Sequence, residues 1–576
     1  MARRRQAKSS DKGGRTNIDT AGAAAQDGAV ADGSPSYPIL TEEQLATLRS
    51  YGDVHRVSAG ELVYQVGEPI TDLVLVDSGA IDIISEATAE SPEVLITRHH
   101  AGRFLGELNM LTGQFSYLTA RVSEDAVIHR IPPDRFRRLM AEESELSSII
   151  LTAFQARRGL IRTIASHHLE ILGSPTSATS MALRTYAERL DVPHLWFDAE
   201  SVAGVALMTA TNVTREELPV VFVPGGEVRN ATPALLAERL GLAYRRSDKQ
   251  ADLVIIGGGP AGLAAAVYGA SEGLHTVLVD ALGPGGQAAA SSRIENYLGF
   301  PNGLSGGELT SLAAVQALKF GASMYAPCEV IGLDQAADAV SIQVADGTTI
   351  EARAVIVATG ARYRGLALPN WKQFEGAGIY YAATKLEATA CAGMPVTVVG
   401  GANSAAQAAL FLAGNSCQVD LLIRGSDLGA GMSSYLADRL NASRLIRVRT
   451  STQVSEIHGD AYVEAVTITN SSSGEVVRQA CGAIFCFIGA TPATSWLDGV
   501  DLDDHGFVLT DANLDAAAFA ERRGAQGRGP LPFETSAPRI FAAGDVRLGS
   551  MKRVAAAVGE GASAVSSVHR AIALSV

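Results

Sequence analysis

Cysteine is scarce in this chain. There are five in 576 residues, Cys328, Cys391, Cys417, Cys481 and Cys486, and no C-x-x-C occurs anywhere. Few, scattered thiols exclude a disulfide framework and suit a reducing, cytoplasmic setting. Cys481 and Cys486 fall in what reads as one strand, "CGAIFCFIG". Five positions along a strand put them on opposite faces, roughly 17 Å apart at about 3.3 Å per residue. Long apolar runs are also missing: no stretch offers about 18 uninterrupted apolar residues, so no membrane partner is expected. The opening "MARRRQAKSS" is basic but lacks an apolar core, which excludes a secretory signal. Net positive charge is missing too. A formal charge of −14 argues against nucleic acid as a partner, because phosphates attract a basic surface. Its plain reading is solubility. No metal-ligand set is assigned.

What is present is glycine, 58 of it, in a chain long enough for about three or four domains of ~100–200 residues. Residues 1–35 are rich in Ala, Gly, Asp and Ser and read as a disordered tail. Residues 36–165 hold short β-branched runs, "ELVYQVGEP", "DLVLVDSGAIDIISE", "VLITRHH" and "AVIHRIP", between Gly and Pro turns. The run "PDRFRRLMAEESELSSIILTAFQARRGLIRTIAS" reads as one long amphipathic helix that joins domains or forms the seam of a homodimer. Residues 166–243 alternate β and α, and "AYRRSDKQA" is a polar linker. From Asp252 the order is βαβ, a β-rich piece, a second βαβ, another β-rich piece and a last helix. "RIFAAGDVR" reads as a returning strand of the first unit. That makes one domain of 250–365 and 488–576, with 366–487 nested inside it.

"DLVIIGGGPAGLAAAVYGASEGLHTVLVD" is strand, turn, helix, strand, acid. Gly257, Gly259 and Gly262 form G-x-G-x-x-G: a tight turn, close approach of backbone to a pyrophosphate, and close helix–strand packing. Pro260 and Ala261 open the helix, whose N-terminus offers N–H groups to phosphates. Asp280 closes the next strand 18 residues after Gly262, where a carboxylate accepts hydrogen bonds from an adenosine ribose.

The continuation resembles the thioredoxin reductase-like flavoproteins over residues 250–576, with four separated motifs in the right order. "GPGGQAAASSRIENYLGFP" is similar to their flavin loop, with Gly285, Gly286, Gln287 and Asn296. "AVIVATGARYR" is similar to their ATG strand, with Thr359 and Gly360. "PRIFAAGDVRLGSMKRVAAAVGEGASAV" is similar to their closing motif. The resemblance places Gly544 and Asp545 at the flavin ribityl chain and Arg553, Val554 and Ala555 at the isoalloxazine end. It implies FAD as cofactor.

A second glycine turn, "VTVVGGANSAAQAALFLAG", repeats the strand–turn–helix pattern. The resemblance makes it the NAD(P)H site: Gly400, Ala402, Asn403, Ser404 and Ala405, then Arg424 for a 2′-phosphate. Ala402 stands where the family has glycine, and one basic residue stands where it has two or three. NADPH is expected over NADH. In thioredoxin reductases a C-x-x-C precedes this turn by about fourteen residues. Here that spacing lands on "AATKL", Ala382 to Leu386. Cys391 is a lone thiol nearby, read as inert filler rather than as a redox group.

The two leading modules also resemble known families. Residues 166–243, in the order βαβαββα, resemble the thioredoxin/glutaredoxin fold, with Ser174-Pro175-Thr176-Ser177 where C-P-x-C is usual and Pro219 at the cis-proline position. Serine cannot exchange disulfides, so this module is a spacer or a docking platform. Residues 36–165 resemble a cyclic-nucleotide-binding barrel. Gly106, Glu107 and Leu108 match the start of the phosphate cassette. The arginine that pairs with a cyclic phosphate is absent; Phe115, Ser116, Tyr117 and Leu118 fill its place, and Arg121 points elsewhere by register. A ligand-free or otherwise liganded barrel is favoured over one that binds a cyclic nucleotide.

The expected fold is multidomain α/β: two nested Rossmann-like, three-layer nucleotide-binding domains, preceded by a β-barrel and a thioredoxin-like domain. The expected activity is FAD-dependent NAD(P)H oxidation. Its electron acceptor is left open between a small molecule and a redox protein. The alternative is a flavin sensor with little turnover, responsive to a cyclic nucleotide or to redox state.

Overall fold

The computed structural model describes residues 34–574, except 70–71, 87–92, 165–168, 224–225, 245–249, 292–293, 295, 337–338, 384, 430, 523–524 and 526. The expected tail lies outside the described residues save its last two, as does most of the polar linker.

The first module is a six-stranded antiparallel sheet rolled around its apolar face. Its spine is the pair Leu73–Ser85 and Thr119–Ile131. Two helices, Pro133–Glu142 and Ser144–Ile164, follow it. The single long helix expected there is broken at Glu143, whose backbone (φ −107°, ψ 79°) leaves the helical region.

The second module has the expected βαβαββα order. Glu170–Gly173 pairs in parallel with Leu195–Asp198 and antiparallel with Val220–Val223, which carries Gly226–Val228 at the edge. Helix Ala178–Arg189 starts at Ser177, whose hydroxyl caps the Ser180 N–H. The Leu218–Pro219 peptide is cis.

Four strands of the third sheet run parallel in the order Ser323–Tyr325, Thr276–Val279, Ala251–Ile256, Thr349–Val357. The two central strands, Thr276–Val279 and Ala251–Ile256, are almost wholly buried, which accounts for their largely apolar sequences. Ile540–Ala542, from near the other end of the chain, joins Thr349–Val357 in parallel. The intervening segment forms a five-stranded parallel sheet centred on Pro395–Val399 and a three-stranded antiparallel one. Two short antiparallel strands, Ala361–Tyr363 and Ala490–Pro492, carry the chain between the two units. No helix among the described residues is long and apolar enough to cross a membrane.

Candidate functional site

The first glycine turn is built by crowding. Gly257 has φ +110°, and a Cβ there would lie 2.4 Å from the Ala358 carbonyl oxygen. A Cβ on Gly262 would lie 1.8 Å from the Gly257 carbonyl oxygen. Both positions exclude any other residue. Gly259 is different: its backbone is ordinary (φ −73°), and the nearest atom to a Cβ would be 3.9 Å away. The protein leaves that space open at the N-terminus of helix Pro260–Ser271, where N–H groups lack helical partners. This cradle fits a dinucleotide phosphate.

Asp280 fastens the neighbouring loop. Its carboxylate accepts from the N–H groups of Gly258 (2.7 Å), Leu282 (2.8 Å) and Gly283 (2.7 Å). The Gly285 N–H donates to the Gly258 carbonyl at 2.7 Å. A Cβ on Gly286 would come within 2.8 Å of the Gly259 Cα. Gln287 donates through Nε2 to the Ala361 carbonyl, and Thr359 through its hydroxyl to that of Ala493 (3.0 Å). Gly360 and Gly544 both have positive φ. Gly544 closes on Ala261, and its N–H donates to Glu560 (2.8 Å), which also pairs with Arg547 (3.0 Å). Burial raises the Asp545 carboxyl above its ordinary value. Helix Val554–Ala573 crosses helix Pro260–Ser271 so closely that a Cβ on Gly561 would lie 2.0 Å from the Ala261 oxygen. Asn296, Arg553 and Ala555 are exposed, and the Arg553 guanidinium donates to the neighbouring Lys552 carbonyl (2.9 Å). Glu560 and Gly561 carry no motif signal of their own; their roles arise from the crossing of two helices far apart in sequence.

The second turn is looser. Gly400 (φ +151°) is forced, because a Cβ would meet the Phe487 oxygen at 2.6 Å. Ala402 caps helix Asn403–Gly414 with φ −117°, which alanine adopts freely, and it is exposed with Asn403 and Ser404. Ala405 is buried. The Asn403 side-chain oxygen accepts from the Ser433 N–H (2.8 Å) and hydroxyl (3.2 Å). Arg424 is exposed just past strand Gln418–Leu422.

Comparison with known proteins bears directly on these two turns. The model of the family "Pyridine nucleotide-disulphide oxidoreductase" matches residues 251–561. The chain belongs to that family. A second model, for the cyclic nucleotide-binding domain, matches residues 54–143. The chain is 32% identical over 315 residues to a thioredoxin reductase of Treponema pallidum, covering 54% of this chain and 94% of that one. It is 29% identical over 355 residues to an alkyl hydroperoxide reductase protein of Staphylococcus aureus, covering 60% of this chain and 65% of that one. A crystal structure of Lactococcus lactis thioredoxin reductase aligns with a TM-score of 0.49 and 29% identity, over 56% of this chain and all of that one. The protein is an FAD-dependent pyridine-nucleotide oxidoreductase with FAD and NAD(P)H as cofactors.

Within this pyridine nucleotide-disulphide oxidoreductase the thiols stand apart. All five cysteines are free and buried. Burial pushes the Cys328 and Cys391 thiols up to about 12 and those of Cys481 and Cys486 up to about 11, and it raises Cys417. None offers a thiolate near neutral pH. Cys391 packs in the core beside Ala383, and Cys417 donates to its carbonyl oxygen at 3.3 Å. The expectation for Cys481 and Cys486 needs correcting. Strand Ala483–Cys486 begins after Cys481, so strand alternation does not relate the two, and both enter the same apolar cluster.

The serines of the second module bond locally: Ser174 with Thr176 (2.9 Å) and Ser177 with Thr179 (2.8 Å). In the barrel, Glu107 is 6% exposed, and one of its carboxylate oxygens has no hydrogen-bond partner. Burial pushes its pKa up to about 7. The space around it is small, about 30 Å³, because Arg157 enters from helix Ser144–Ile164. Arg157 donates to the carbonyls of Ser36 (2.8 Å), Gly106 (2.9 Å) and Phe104 (3.1 Å) and stacks on Tyr37 and Phe104. Arg121 forms an exposed pair with Glu93, away from the pocket. Sequence reading missed Arg157; its signal was an Arg-Arg pair in the middle of an amphipathic helical run.

Proposed function

We propose that this protein is a cytoplasmic NAD(P)H oxidoreductase whose electrons pass from the flavin straight to an external acceptor, with no dithiol relay. The observation that carries this reading is the absence of any usable thiol. Ala383 is buried and Lys385 exposed on the segment where a C-x-x-C is expected, and the five cysteines are inside, with raised pKa values. A relay needs an accessible thiolate and a resolving thiol.

The chain's own residues would then bind and orient. The open cradle at Gly259 takes the FAD diphosphate, Asp280 the ribose, and the Asp545 end the ribityl chain. Gly400, Ala402, Ser404 and Arg424 serve NADPH, with NADH as the weaker donor. FAD, when bound, supplies hydride acceptance and electron release. No side chain is required as acid, base or nucleophile for the first half-reaction.

The barrel supports a regulatory reading without a cyclic nucleotide. With Arg157 in place, about 30 Å³ remains beside Glu107, room for about one water and no nucleotide. The homodimer, for which the helical run after the barrel is the expected seam, belongs to the same proposal.

The test is a variant with all five cysteines replaced by serine. Loaded with FAD, it is expected to reduce quinones or ferricyanide with NADPH at the wild-type rate. Turnover of a protein disulfide by wild type, lost in the variant, would overturn the proposal.

A further inference from the structure

The second module has no redox group, yet its helix Ala178–Arg189 ends against the FAD loop. Arg189 reaches two carbonyl oxygens of that loop, Gly283 (3.5 Å from Nη1) and Gly286 (3.4 Å from Nη2). Its aliphatic stem lies along Gly283, where a Cβ would sit 3.3 Å from the Arg189 Cβ. Among the described residues it makes no ion pair, although burial weighs against its charge, with the carboxylates of Asp280 and Glu387 acting in its favour. A half-buried guanidinium held by two long carbonyl contacts is poorly compensated.

The missing counter-charge has a place. Gly286 stacks directly on Gly259, the open phosphate cradle, with a Cβ built on Gly286 only 2.8 Å from the Gly259 Cα. One residue's thickness of backbone therefore separates the guanidinium from the cradle. Asp280 holds the same loop by accepting from the Gly283 N–H (2.7 Å). The loop is held between an acid of the flavin unit and a base of the second module.

We infer that Arg189 is a positioning residue of the FAD site: it braces loop 283–286 from outside and gives the FAD diphosphate a cation across that loop. The inference rests on the FAD reading above and goes beyond it, since it makes the thiol-free module part of cofactor retention. The competing explanation is that Arg189 only docks the module.

Tyr186, on the same helix, separates the two. Its hydroxyl donates to the Ala326 carbonyl of the flavin unit at 2.8 Å without touching the loop. Full-length apoprotein of wild type, Arg189→Met, Arg189→Lys and Tyr186→Phe would be titrated with FAD, reading quenching of flavin fluorescence. Arg189→Met is expected to weaken binding at least about tenfold, Arg189→Lys by less, and Tyr186→Phe by no more than about twofold, the first being the size of one lost contact to a charged group. Should Arg189→Met not fold, Arg189→Gln is expected to show the same loss. Wild-type affinity in the Met or Gln variant would overturn the inference, as would an equal loss in Tyr186→Phe. A wild type that takes up no FAD would instead remove the cofactor reading beneath it.

Discussion

The two glycine-rich turns share a plan and differ in what enforces it. In the first, Gly257 and Gly262 are dictated by the protein itself, with backbone oxygens 2.4 and 1.8 Å from any added Cβ. In the second, only Gly400 is so dictated; the third position is a buried alanine, and the middle one, Ala402, has a relaxed backbone and is exposed. The middle position is the instructive one. At Gly259 no described protein atom and no positive φ calls for glycine, whereas the FAD diphosphate proposed to lie there would. At Ala402 a methyl group has entered that same space. On the function proposed above, the contrast fits a tightly held FAD and a nucleotide that comes and goes.

The largest effect is expected at Gly262. Even alanine puts a carbon 1.8 Å from backbone oxygen, an overpacking with no flexible neighbour to yield. Gly262→Ala should give insoluble protein; recovery of soluble, flavin-loaded material would show that the first turn is as tolerant as the second. Gly259→Val should fold, with unchanged far-UV circular dichroism, yet purify colourless where wild type is yellow, because only the phosphate's space is filled. A yellow Gly259→Val would erase the distinction drawn between ligand-imposed and protein-imposed glycines. Arg424→Ala should raise KM for NADPH by about 1–3 kcal/mol of lost contact to a charged group and leave KM for NADH alone. Equal KM values for both donors in wild type would mean that Arg424 reads no 2′-phosphate. The smallest effect is expected from Ala402→Gly. Closer approach of the nucleotide is offset by roughly 0.5–1 kcal/mol of added backbone freedom, so KM for both donors should fall only slightly. A large fall would place the second turn's weakness at that one methyl.

Much of this was legible in the sequence, because turns, caps and parallel strands are local and leave local patterns. Gly257, Gly259, Gly262 and Asp280 could be placed by spacing alone, and the substituted Ser174–Ser177 segment by its proline. The returning strand Ile540–Ala542 was readable because buried parallel strands are apolar throughout. What escaped reading depends on contacts between distant elements. Arg157 fills the barrel pocket from a helix some fifty residues after Glu107, and Arg189 meets Gly283 across a module boundary. The break at Glu143 escaped because amphipathic periodicity runs on through a single bent residue. The misreading of Cys481 came from extending strand alternation one turn too far.

The barrel and the second module share one apolar core. Ile81, Leu105 and Ile128 of the barrel cluster with Ile171, Leu183 and Leu236 of the second module's sheet and helices, and Ala326 of the flavin unit joins them. Lines drawn between modules on the map of the chain therefore do not mark places where it can be cut. Removing residues 1–165 would leave a wall of Leu and Ile facing water, and the remainder would be expected to aggregate rather than to work as a trimmed enzyme.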